Sequence, residues 1–297
     1  MLGIPGARAE KFEGVGTIPA VRRLLEYGWD KDAPPIHHAR RVLFRLLAED
    51  DDPEYLYELG GKQSGGDEDM MRRGRAILRE AAAATLAQAG YEGDPRLRGC
   101  ARRVLDRVND YLKSPLSQKP WMRIGNQHVL SPDAAPPSIY ALTMFAHMPL
   151  FRSEHYEAMD RLYTHLTQAL PRQELVQLCG KKIVAQPHLV LGDFLPHRNA
   201  VDADVPLALA WLELMARLNF LKRNEGWAKL FERFLDDRDR DGVWHPHKGS
   251  ATARSSNSYV WPIYPLEIQQ AGDERWTDVT FRLGLIARLS GRTIEVT

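Results

Sequence analysis

Two segments lying 62 residues apart carry one pattern, and that duplication limits what the chain can fold into. "AVRRLLEYGWDKDAPPIHHARRVLFRL" from Ala20 and "AAATLAQAGYEGDPRLRGCARRVLDRV" from Ala82 align without a gap. Leu24, Gly28, Asp32, the run Ala39 to Leu43 and Arg45 meet identical residues at Leu86, Gly90, Asp94, Ala101 to Leu105 and Arg107. Each copy reads as a helix, a glycine stop, an aromatic residue with an acid, an aspartate start and a second helix. Gly28 and Gly90 suit the left-handed residue that ends a helix, and Asp32 and Asp94 suit the acceptor for the free amides that begin the next. Trp29 and Tyr91 are expected to plug the open end of the hairpin. Looser echoes follow in "LMARLNFLKRNEGWAKLFERFL" and "IQQAGDERWTDVTFRLGLIARL". A hairpin buries its apolar face on the next copy, so an array is expected, open like a solenoid or closed into a ring.

The remaining periodicity agrees. Residues 18–27, 36–48, 70–90, 97–113, 136–147, 154–169, 205–220, 225–236 and 276–290 place apolar side chains three and four apart, with Arg, Glu and Lys between them. No stretch of comparable length alternates apolar and polar residues, so the expected class is all-α: one domain of repeated helical hairpins over residues 1–297. "GGKQSGGDED" (60–69) reads as a mobile loop, 114–120 and 131–138 as proline turns, and "GSATARSSNS" (249–258) as a hydroxyl-rich loop.

Composition then excludes several function classes. Forty basic residues against thirty-nine acidic leave a net charge of +1, so no global field favours nucleic acid or an anionic membrane. The arginine pairs 40/41 and 102/103 read as solvated helix faces, because Glu49, Asp50, Asp51, Asp52 and Glu54 follow the first pair closely. No nucleic-acid partner is expected. The start, "MLGIPGARAEKFEGVGTIPAV", has charges and glycines where a signal peptide needs an apolar run. "VPLALAWL" (205–212) is the longest uncharged apolar stretch, and Glu213 ends it far short of the roughly 20 residues of a bilayer span. Cys100 and Cys179 read as small buried hydrophobes, a usage that suits a reducing cytoplasm.

"LDDRDRDGVWHPHKG" (235–249) begins as a calcium loop does, with Asp237, Asp239, Asp241 and Gly242 in the first, third, fifth and sixth places. The twelfth place holds Lys248 instead of the bidentate glutamate, so the stretch reads better as a helix-ending turn from which Trp244 folds onto the core. "FERFLDDRDRDGVW" resembles the helix-then-turn signature of the α/α toroids, the squalene-cyclase and protein-prenyltransferase class. "DADVPLALAWL", from Asp202, is similar to the aspartate motif of class II terpenoid cyclases, with Val205 and Pro206 in place of the third acid and the threonine. The resemblance implies a helical toroid, with Asp204 as proton donor and Asp202 beside it. A carboxylic acid donates to an alkene only if burial keeps it protonated, and the resulting cation needs aromatic faces. Trp211, Trp244, Trp261 and Tyr264 are candidates for those faces, while Asp202 also reads as a helix N-cap.

"QPHLVLGDFLPHRNAVDADVP" is dense in titratable groups and broken by prolines, as site-bearing loops often are. It supplies His197 as a support for the acid and Asp193 and Arg198 as ligand contacts; His188, Asp193 and His197 match no established metal spacing. His247 and Arg254 could bind a phosphate or carboxylate. No cofactor is specified. Two functions are expected as alternatives: acid catalysis on an apolar, isoprenoid-like small molecule, or a non-catalytic scaffold that binds a peptide, protein or ligand.

Overall fold

The computed structural model describes residues 17–47, 68–180, 182–195, 204–245 and 274–294. The chain divides into two compact units, residues 1–192 and 193–297.

In the first unit, α1 (Thr17–Glu26) and α2 (Pro34–Leu46) form one hairpin, and α3 (Glu68–Gln88) and α4 (Pro95–Lys113) the next. Both first helices close the same way. Gly28 and Gly90 take φ of 83° and 85°. Their amides donate to Leu25 O and Ala87 O, and the next amides, of Trp29 and Tyr91, donate to Leu24 O and Leu86 O. This is the double closure that a left-handed glycine permits. Gln88 Nε2 donates to Glu26 Oε1 at 3.1 Å. Residues related by the 62-residue offset therefore touch, and the copies stack side by side.

The second helices begin differently from expectation. Asp94 caps α4 by accepting from the Arg96 amide at 2.9 Å. The cap residue of α2 is Ala33, with no side-chain bond, and Asp30 rather than Asp32 accepts the Asp32 and Ala33 amides. Proline explains the shift. The residue before a proline is driven out of the helical region, and that residue is Ala33 in one copy and Asp94 in the other. Trp29 does not plug the hairpin either, being 46% exposed. Tyr91 does pack, edge-on to Phe44 with centroids 5.6 Å apart, while its hydroxyl donates to Lys31 O.

Helix α3 is the centre of this unit and touches α1, α2, α4 and α5. Its run Ala81 to Ala84 is buried on every side, because small side chains let neighbours approach from all directions.

The all-α expectation is overturned by a four-stranded sheet, β1 (Trp121–Ile124), β2 (Gln127–Leu130), β3 (Val176–Cys179) and β4 (Lys182–Ala185), in that order. Helices and sheet together make the fold α+β. β1–β2 and β3–β4 are antiparallel hairpins, while β2 and β3 run parallel and meet at Leu130–Gln177. Gly125 and Gly180, with φ of 59° and 58°, open the two-residue turns. The buried side of the sheet rests on the end of α4, where Leu130, Tyr111, Ala134 and Leu191 share a core.

The sheet also uncovers a repeat with a different spacing. Ser131 N donates to Pro120 O and Gln186 N to Leu175 O; Ala134 N donates to Ser131 O and Leu189 N to Gln186 O. Each pair is related by 55 residues. Between the hairpins lie α5 (Ile139–Ala146), α6 (Pro149–Glu154) and α7 (Tyr156–Leu166), with α5 on α3 and α7 on α4. A β-hairpin preceded by helices thus occurs twice, after α3 and α4 and again after α5, α6 and α7.

In the second unit, α8 (Val205–Arg217), a 3₁₀ turn (Leu221–Arg223), α9 (Glu225–Asp236) and α10 (Glu274–Leu289) enclose a smaller core. α8 packs on α10, and Glu213 of α8 pairs with Arg217 at 2.9 Å and with the buried Arg282.

Candidate functional site

Of the residues singled out for chemistry, two come together in the second unit, Asp193 and Trp211. Asp193 is 9% exposed. Oδ1 accepts from the Leu195 amide at 2.8 Å, and Oδ2 accepts from the Trp227 indole N–H at 2.9 Å. Trp211 lies close by, its ring 4.8 Å from Phe194 and 6.1 Å from Trp227. Its N–H favours the ionised carboxyl of Asp193 without completing a hydrogen bond. Burial pushes the Asp193 carboxyl above the ordinary range, and the Leu195, Trp227 and Trp211 donors only partly offset it.

This is an acid in an aromatic setting, as proton donation requires. Yet Trp211 and Trp227 are buried and packed on each other, so they fill the space a substrate would need.

Asp204 stands elsewhere. It is the cap residue of α8, its Oδ1 accepting from the Leu207 amide at 3.0 Å, so Asp204 and not Asp202 starts that helix. Trp211 is seven residues further along, roughly 10 Å by helical rise. Asp204→Ala is expected to cost about 0.5–2 kcal/mol of stability to urea, and Asp204→Asn almost nothing, because asparagine caps as well as aspartate. A loss of the same size in both variants would mean that capping is not what Asp204 contributes.

Trp244 is buried against Phe234, and its amide donates to Thr280 Oγ1 at 2.9 Å. The turn before it is organised by Asp239, whose Oδ1 accepts from the Asp241 and Val243 amides and whose Oδ2 meets His245 Nε2 at 2.5 Å. Gly242, at φ 80°, completes the reversal, and the carboxylate a calcium ion would want is spent on the turn. His197, Arg198, Asp202, His247, Arg254, Trp261 and Tyr264 lie outside the described residues.

His188 belongs to the first unit. Burial, with Arg73 and Arg107 nearby, pushes its imidazole down to about 3. Such a cationic neighbourhood does not suit a metal ion, and among the described residues no group of three or more His, Cys, Asp or Glu comes together to hold one. Around it the polar groups serve packing. Ser138 donates to Glu80 Oε2, Arg107 pairs with Glu80 Oε1 at 2.5 Å, and Arg73 Nε donates to Gln186 Oε1 at 3.0 Å.

The sequence pattern marks Asp193 as a ligand contact and Trp211 as a face for Asp204, and it does not single out Trp227. That residue lies on the apolar face of α9 with Leu230, Phe231 and Phe234, and nothing in its spacing distinguishes it from a core residue. Among the described residues no helix is long and apolar enough to cross a membrane. No protein-family model, no curated protein and no solved structure matches the chain.

Proposed function

We propose that the protein works by binding a protein or peptide partner through its first unit, as a scaffold without catalysis. The observation that carries this reading is a set of large apolar side chains left in water on the α1–α2 turn and on α6 and α7, segments linked through the α3–α4 turn. The α1–α2 turn is joined to the α3–α4 turn by Tyr91 Oη donating to Lys31 O at 3.1 Å. The α3–α4 turn is joined to α6 by the Phe151 amide donating to Glu92 Oε1 at 2.8 Å. On these segments Tyr27, Trp29, Leu150 and Tyr156 are all exposed, the last two by 65% and 68%. Scattered apolar residues need no explanation, but a group on segments that are braced together is what a binding surface presents. Tyr and Trp are also the residues that carry binding energy in partner interfaces.

Asp193 favours a second reading, acid catalysis on an apolar small molecule, because its carboxyl is held toward the protonated form beside aromatic rings.

Two measurements on one preparation decide between them. Photo-crosslinking from positions 29 and 156 is expected to capture the same protein partner, and the yield is expected to fall when Trp29 and Tyr156 are replaced together by aspartate. Native mass spectrometry of protein purified without added ligand is expected to give the bare chain mass. A stoichiometric apolar small molecule retained by the wild type and released by Asp193→Asn, with no crosslinked partner, would overturn binding in favour of chemistry.

A further inference from the structure

A cavity of about 330 Å³ opens in the second unit where α8 and α10 end side by side. Ala216, Asn219, Leu221, Lys222, Leu289 and Ser290 line it, with Gly291. Both helices finish with the same closure. Asn219, at φ 62°, and Gly291, at φ 72°, are the left-handed residues. Their amides donate to Ala216 O and Arg288 O, and the next amides, of Phe220 and Arg292, donate to Met215 O and Ala287 O. The last carbonyls are therefore largely satisfied by the chain itself.

Among the described residues the Ser290 hydroxyl is uncommitted. It is buried, in a residue 8% exposed. A buried hydroxyl without a partner costs free energy unless something completes it. Lys222 Nζ lies 3.5 Å from where a Cβ on Gly291 would stand, so the ammonium rests over that glycine at the end of α10. Arg217, Arg223 and Arg288 are also carried by these helix ends and the 3₁₀ turn between them. The volume is at the low end of small-molecule sites, whose linings combine apolar walls with a few polar groups.

We infer that this cavity binds a small organic carboxylate. The Lys222 ammonium, the Ser290 hydroxyl and the Asn219 amide supply donors for the carboxylate, and Ala216, Leu221 and Leu289 supply walls for a short apolar body. The two helix C-termini that end here disfavour an anion, so the preference for a carboxylate over a neutral molecule rests on the Lys222 ammonium, the one formal charge lining the cavity. The inference is independent of the partner surface on the first unit.

Titration calorimetry of the full chain with hexanoate, hexanol and inorganic phosphate tests it. Saturable binding of hexanoate is expected, much stronger than that of hexanol or phosphate and weakened about tenfold or more, about 1.4 kcal/mol, by Lys222→Met. Asn219→Gly is the second variant, since glycine accepts the left-handed backbone and only the amide is lost; it too is expected to weaken hexanoate binding. Absence of saturable hexanoate binding, equal binding of hexanol, tighter binding of phosphate, or hexanoate binding indifferent to both substitutions would each overturn the assignment.

Discussion

Replacing Glu213 by alanine is expected to destabilise the chain by about 3–5 kcal/mol, read from urea unfolding, because it strands a buried charge. Arg282 is only 5% exposed at its side chain and pairs with Glu213, which also holds Arg217 at 2.9 Å. Burial alone would push the Glu213 carboxyl up, but the Arg282 and Arg217 guanidiniums more than reverse it and hold the group below its ordinary range. The sign of the pH dependence follows. A carboxyl whose folded value is depressed contributes fully above its unfolded value, about 4.3, and loses that contribution as pH falls through the folded value. Wild type should therefore weaken on acidification below about pH 4, and Glu213→Ala should lack that component. Replacing the pair together, Glu213→Leu with Arg282→Met, is expected to recover most of the loss, since apolar residues of similar volume often substitute for a buried ion pair at little cost. No recovery would mean that the helix contact depends on the charges themselves.

The helices were legible because their signals are local and redundant. The spacing of Leu97, Cys100, Ala101, Val104, Leu105, Val108 and Tyr111 marks the buried face of α4, and Gly28 and Gly90 end α1 and α3 where expected. The sheet was not legible. Its strands have four residues each, and their burial does not alternate: Trp121 and Ile124 are half-buried around an exposed Met122 and Arg123, and Val129 and Leu130 are buried in succession. Period two cannot register in so short a run. The one local signal was a glycine at the end of the first arm of each hairpin, Gly125 and Gly180. The 55-residue repeat was hidden because it is kept in backbone bonds rather than side chains. Pro120 and Leu175, or Ala134 and Leu189, share a place in the fold with no identity between them. At the candidate site, Asp193 stood out by its titratable loop, but its partners come from α8 and α9, and only folding joins them.

Trp227 is where those contacts concentrate, and Trp227→Ala is expected to cost about 3–5 kcal/mol, the range for emptying the space of a large buried aromatic. The ring is 1% exposed, packs edge-on to Trp211, and its N–H is the donor to Asp193 Oδ2. Trp227→Phe separates packing from the hydrogen bond. It keeps most of the apolar volume but removes the donor, leaving a buried carboxylate oxygen unsatisfied, and should cost about 1–3 kcal/mol. The pH profile gives the sharper readout. Asp193 sits above its ordinary range, so between the unfolded value, about 3.9, and the folded one the folded state binds more protons than the unfolded state, and stability falls as pH rises through that window. This slope is opposite in sign to that of Glu213. Because the indole N–H favours the ionised carboxyl, deleting it should move the folded value higher and carry the loss of stability to higher pH. A Trp227→Phe profile parallel to wild type, shifted only by a constant amount, would show that Trp227 supports the fold through packing alone and that Asp193 is indifferent to its donor.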